Sequence, residues 1–149
     1  MQEYVDFVVS EWPLFLALVV VLALLARSFL TGAKSVGPME AVSLINHQDA
    51  VIVDVRTDKE YEEGHVTNSV HIPLGVLQDR LADLQAYKNN PIILACRSGA
   101  RSASAVAILT KHGFETVYNL GGGMLAWGNA NLPLISGKAS DKRKKKQPA

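Results

Sequence analysis

The chain has 149 residues, enough for one domain and an appendage, and its 48% hydrophobic content is high for a soluble protein. Its single cysteine excludes an intramolecular disulfide and fits a reducing compartment. The formal net charge of +1 conceals a partition: six of the 15 basic residues fall in Lys138–Lys146, opposed only by Asp141, which leaves residues 1–137 with nine basic and 13 acidic groups, a net of −4. The body therefore carries no basic patch to extend the tail, which argues against nucleic acid as a partner.

Residues 1–11 form a short N-terminal segment with Glu3, Asp6 and Glu11 and no Lys or Arg, unlike the basic start of a secretory signal. Residues 12–30, "WPLFLALVVVLALLARSFL", hold one charge, Arg27. A buried core helix would be shorter or amphipathic, whereas about 20 mainly apolar residues suit a membrane-spanning helix. An uncleaved single-span anchor is expected here. Pro13 suits its first turn, Trp12 the interface, and Arg27 can reach back to the headgroups. Arg27 and Lys34 follow the span and no basic residue precedes it, so the C-terminal side is expected in the cytoplasm and the anchor in a bacterial inner membrane.

Residues 31–38, "TGAKSVGP", read as a linker, and the folded domain is expected over 36–136. Helical spacing marks Met39–Ile45, Gly75–Leu84, Arg101–Gly113 with its start near Ser102, and Gly123–Asn131. Continuous apolar runs at Ala50–Val55, Ser69–Pro73, Pro91–Ala95 and Thr116–Leu120 predict four strands. Strands alternating with helices predict an α/β fold, a parallel sheet flanked by helices and preceded by the one transmembrane helix. Residues 137–149 are expected to be a solvated basic tail, with anionic lipid as a candidate contact.

In such folds the ligand site lies beyond the carboxyl ends of the strands, where "CRSGARS" places Cys96. Main-chain N–H groups of the loop and of the helix's first turn lack intrahelical partners and can converge on an anion, helped by the helix dipole. Small residues at Ser98, Gly99 and Ala100 let the backbone curl closely. Such a cradle, completed by Ser102, is expected to keep Cys96 largely thiolate, with Arg97 and Arg101 adding charge and fork-shaped donors for an anionic substrate. An isolated cysteine is more often a small buried hydrophobe; the setting favours a reactive one here.

Several separated motifs now resemble the single-domain rhodaneses, a family of sulfurtransferases. In "VDVRTDKEYEEGHVTNSVHIP" (Val53–Pro73), Asp54, Arg56, Glu60, Tyr61, Gly64, His65, His71, Ile72 and Pro73 match the Asp-x-Arg, Glu-Tyr-x-x-Gly-His and His-Ile-Pro signatures. "CRSGARS" matches the active loop and "GGGMLAW" (Gly121–Trp127) the closing segment. Anchor and tail add a looser similarity to membrane-tethered bacterial rhodaneses of the YibN type. The resemblance implies that Cys96 takes a sulfur atom from a small donor such as thiosulfate, becomes a persulfide, and passes the sulfur to a thiol or to cyanide, with no metal or organic cofactor. It implies supporting roles for Asp54, through hydrogen bonds, and for Arg56, through pairing with an acidic neighbour such as Glu60.

His65 and His71 lack metal-ligand spacing and are expected to be structural hydrogen-bonders; His47 and His112 read as surface or helix-end residues, and Trp127 as a core aromatic. Short loops suggest a site open to small and large donors. Two rivals stand beside the transferase. A cysteine phosphatase shares the thiolate-and-arginine logic but places five residues between the two, where this loop has the four from Arg97 to Ala100. The other rival is a tethered interaction module that docks partners, membrane proteins among them.

Overall fold

The computed structural model describes residues 11–30, with side chains as far as residue 26, and residues 33–138. The expectations for residues 1–10, for Arg27 and for the tail beyond residue 138 lie outside the described residues. The chain divides into a unit that carries the first helix and a unit that begins at Ala33. In the first, α1 (Trp12–Leu30) is a helix of 19 residues with the expected bounds and an exposed apolar surface. Among the described residues no helix is long and apolar enough to cross a membrane. The fold thus gives the helix but not the span.

The second unit is built on a five-stranded parallel sheet in the order β1-β5-β4-β2-β3. Its strands are β1 (Ser35–Val36), β2 (Val51–Asp54), β3 (Val70–His71), β4 (Ile92–Ala95) and β5 (Val117–Leu120). β1 falls inside the expected linker: two residues paired with Asn119 and Leu120 are too short to leave a pattern in the sequence. β4 lies at the centre, with Val53 and Asp54 of β2 opposite its Leu94 and Ala95. All four of its residues are buried, as expected of a strand covered on both faces.

Alternation divides these side chains between two cores. Ile92 and Leu94 join Val53, Leu77, Leu84, Ala105, Leu109 and Phe114 on one face. Ile93 and Ala95 join Ile52, Ala41, Met124 and Trp127 on the other. The first face is covered by α4 (Ala100–Lys111) and the second by α2 (Pro38–Gln48) and α5 (Gly123–Asn129).

Two helical expectations are corrected. Gly75–Leu84 is not a continuous α-helix but two 3₁₀ segments, Leu74–Val76 and Gln78–Tyr87, the second broken at Arg80. Pro73 fixes the entry, and the backbone satisfies itself with short bonds from Val76 N to Pro73 O and from Leu77 N to Leu74 O. Leu77 and Leu84 still reach the core. Conversely, α3 (Asp58–Glu63) forms where no helix was expected. Its signal is in the sequence: Thr57 and Glu60 make a reciprocal capping box, each accepting from the other's main-chain N–H.

Candidate active site

β4 ends at Ala95, and the next residue is the lone cysteine. Cys96 is 1% exposed, yet it is surrounded by donors. Gly99 N–H points at its Sγ from 3.0 Å, and the Ser102 hydroxyl lies 3.3 Å from it. Burial pushes the thiol up. The Ser102 hydroxyl and the main-chain N–H groups of Ser102, Gly99 and Ser98 pull it down by more, so it sits below the ordinary thiol range.

The amides face inward because the carbonyls are held outward. Met124 N–H donates to the Cys96 carbonyl at 2.8 Å and Leu125 N–H to the Arg97 carbonyl at 3.1 Å. A peptide is planar and trans, so holding the Arg97 carbonyl away turns the Ser98 N–H of the same unit towards the sulfur. The donors on Met124 and Leu125 are first-turn N–H groups of α5, which have no partner within their own helix. That close approach requires glycine at 123: a Cβ there would overlap the Cys96 carbonyl oxygen and lie 2.6 Å from the Arg97 carbonyl group. Gly99 closes the loop with φ +105°, a left-handed conformation that favours glycine, and α4 follows at once from Ala100. The helix therefore starts two residues before Ser102, and the loop is shorter than expected.

Arg101 consequently sits in the first turn of α4, and its fork is occupied. It donates to both carboxylate oxygens of Glu60, at 2.8 and 2.7 Å. Two expectations are affected: the Arg101 fork is engaged by Glu60 in this structure, and Glu60 is not the partner of Arg56. The Arg101 hydrogen bonds hold the Glu60 carboxyl down at about 2, and Glu60 in turn raises Arg101 above its usual range. Arg56 instead pairs with buried Asp54, two residues back on the same strand end, through a bidentate contact at 2.7 to 3.0 Å, and also donates to the Gly64 carbonyl. An acidic neighbour does satisfy Arg56, but the nearer one.

The histidines are hydrogen-bonders. His65 Nδ1 donates to the Tyr61 carbonyl and His71 Nε2 to the Arg56 carbonyl, and both rings stack on Tyr61. His47 is exposed on α2, His112 ends α4, and Trp127 is buried. Beside the loop, a shallow cavity of about 290 Å³ is lined by Arg97, Met124 and Leu125 on one side and Arg56, Glu60 and Glu63 on the other. Arg97 is exposed there. Ser98 and Ala100 are exposed as well, and contribute backbone curvature.

A family model described as a rhodanese-like domain matches residues 38–130. The chain belongs to that family. Uncharacterized protein YibN of Escherichia coli strain K12 is 34% identical over 143 residues, covering 93% of this chain and all of that protein. Thiosulfate sulfurtransferase GlpE of Coxiella burnetii is 36% identical over 94 residues, 63% of this chain and 86% of GlpE. Among solved structures, a rhodanese-like domain protein from Staphylococcus aureus is 36% identical with a TM-score of 0.60, covering 69% of this chain and 99% of that one.

Within this rhodanese fold, sequence reasoning passed over one site residue. Asn119, at the end of β5, donates through Nδ2 to the Gly99 carbonyl at 3.1 Å and accepts from the Ser102 hydroxyl at 2.5 Å. In the sequence it reads only as part of the strand Thr116–Leu120. The only available signal was a polar residue in the apolar run "TVYNL", one position from the carboxyl end of a central strand.

Proposed function

We propose that this rhodanese is a sulfurtransferase that carries sulfane sulfur on Cys96. One observation supports this above the others: the Ser102 hydroxyl and inward-facing N–H groups hold a buried thiol below its usual range, as a resident sulfur anion requires. The thiolate attacks the outer sulfur of thiosulfate, a new S–S bond forms, the bond from that sulfur to the sulfonyl sulfur breaks, and sulfite departs with the electron pair. Cyanide or a thiolate then attacks the outer sulfur of the persulfide, and the Cys96 thiolate leaves. Electrons and charge balance in each half, and no metal or organic cofactor takes part. The protein named GlpE is called a thiosulfate sulfurtransferase, and a relative from Allochromatium vinosum, 33% identical over 93 residues, is called a sulfurtransferase.

Cys96 is 1% exposed, beside a cavity that Arg97 and Leu125 border. That burial favours a small anionic donor over a large one. Mass spectrometry after thiosulfate treatment is expected to find one added sulfur on Cys96, and Cys96→Ser is expected to abolish transfer to cyanide while keeping the fold. Turnover of an aryl phosphate in place of thiosulfate would reverse the assignment. The engagement of Arg101 by Glu60 weighs against that chemistry, which needs the arginine on the phosphoryl group.

The proposal includes an anchor: α1 lies in a bacterial inner membrane, with the rhodanese domain on the cytoplasmic side and the basic tail near anionic lipid. The apolar run over residues 12–30 and the flanking charge support it. Recovery of the full chain in the soluble fraction after lysis, without detergent, would refute the anchor. If Cys96→Ser fully rescued a deletion phenotype, partner docking would replace catalysis as the cellular role.

A further inference from the structure

Ser102 is completely buried, and its hydroxyl faces two groups that can accept a hydrogen bond: Cys96 Sγ at 3.3 Å and Asn119 Oδ1 at 2.5 Å. A hydroxyl has one proton to give. The amide of Asn119 decides where it goes. Its Nδ2 donates to the Gly99 carbonyl, and turning the amide over would set oxygen against oxygen there. Oδ1 therefore faces Ser102, and two oxygens 2.5 Å apart must hold a proton between them, which only the serine can supply. The one proton that reaches towards the sulfur is therefore claimed by Asn119 as well.

We propose that Asn119 is a positioning residue that competes with Cys96 for the single Ser102 proton, so that the hydroxyl's pull on the sulfur is only part of what it would be without Asn119. The hydroxyl can donate fully to the sulfur only by giving up Asn119. Of the charged groups around the loop, Arg101 of α4 pairs with Glu60 of α3 and Asp54 at the end of β2 with Arg56, while Arg97 of the loop itself is exposed and borders the cavity with Glu63. On the α5 side the loop meets Gly123, Met124 and Leu125, which carry no charge.

The inference rests on Cys96 being the reacting group, but its test needs no sulfur donor. Iodoacetamide alkylation of the full chain in detergent is followed against pH, each curve normalised to its own high-pH plateau so that differences in access cancel. Asn119→Ala frees the hydroxyl for the thiolate and is expected to speed alkylation below the midpoint by about three- to tenfold. In a Ser102→Ala background the same Asn119→Ala change is expected to have no such effect. An equal gain in both backgrounds would mean that Asn119 acts by holding Gly99, and no gain in the first would mean that the serine proton already sits on the sulfur; either overturns the proposal. The predicted pattern in a chain that takes no sulfur from thiosulfate would sink the transferase reading and leave this one standing.

Discussion

Gly123→Ala is the sharpest perturbation of the loop that does not touch it by sequence. The new Cβ would lie 2.6 Å from both atoms of the Arg97 carbonyl and overlap the Cys96 carbonyl oxygen, and these are backbone atoms held by β4. The start of α5 must retreat. The bonds from Met124 N to Cys96 O and from Leu125 N to Arg97 O, 2.8 and 3.1 Å long, are then lost at about 1 kcal/mol each. Alanine at φ +57° adds about 1–2 kcal/mol, and a stiffer unfolded chain returns about 0.5. The sum, about 3 kcal/mol, is a large share of the 5–15 or so typical of a domain and lowers Tm by on the order of 12–24 °C. Released carbonyls also let the Ser98 N–H turn from the sulfur, so Cys96 should titrate closer to an ordinary thiol. Thermal melts and the pH dependence of alkylation measure the two effects. Gly128→Ala is the control on the same helix, because a Cβ there meets nothing within 4 Å. If Gly123→Ala melted with the wild type and left Cys96 unchanged, α5 would not be what shapes the cradle.

Glu60→Gln should destabilise the protein at pH 7 by about 1 kcal/mol, a figure kept low because the ion pair is part-exposed. Since Arg101 depresses this carboxyl from 4.5 to about 2, the stabilisation is present above 4.5 and fades as pH falls towards 2; urea midpoints differing equally at pH 7 and pH 2.5 would contradict it. Arg101→Lys keeps the charge and loses the fork, so it should lower Tm while leaving the KM for thiosulfate within about twofold; a large rise in KM would return Arg101 to substrate binding. Arg97→Ala should do the reverse, raising that KM about three- to tenfold with little change in Tm, and steady-state kinetics beside a melt distinguish the two.

The parallel sheet was legible because β2 and β4 are buried on both faces and write continuous apolar runs, "VIV" and "IILA". β1 was not, since its two residues pair with a strand more than 80 positions away and carry no local pattern. The region around Leu77 and Leu84 was misread because spacing shows where side chains must be buried, not which ladder holds the backbone. In the site, the cysteine, the glycine turn and the helix start are contiguous and could be read directly. Their partners could not. Glu60 and Arg101 lie 41 positions apart, and Asn119 lies 17 from Ser102; only the order of strands brings their ends together. The resemblance implied an acidic neighbour for Arg56 but not which one: the strand end places Asp54 beside Arg56 and leaves Glu60 facing α4.

A buried anion has to be held by dipoles that are already aimed, because water is not there to reorient. The cysteine loop cannot aim its own amides: a free loop of small residues would turn its carbonyls as readily as its N–H groups towards the sulfur. The helix after β5 settles the choice by taking the carbonyls of Cys96 and Arg97 with its unpaired first-turn N–H groups. The segments "CRSGARS" and "GGGMLAW" are therefore one device in two pieces, since the first supplies the amides and the second fixes which way they face. The glycine at 123 belongs to the chemistry of the sulfur although its own atoms never reach it.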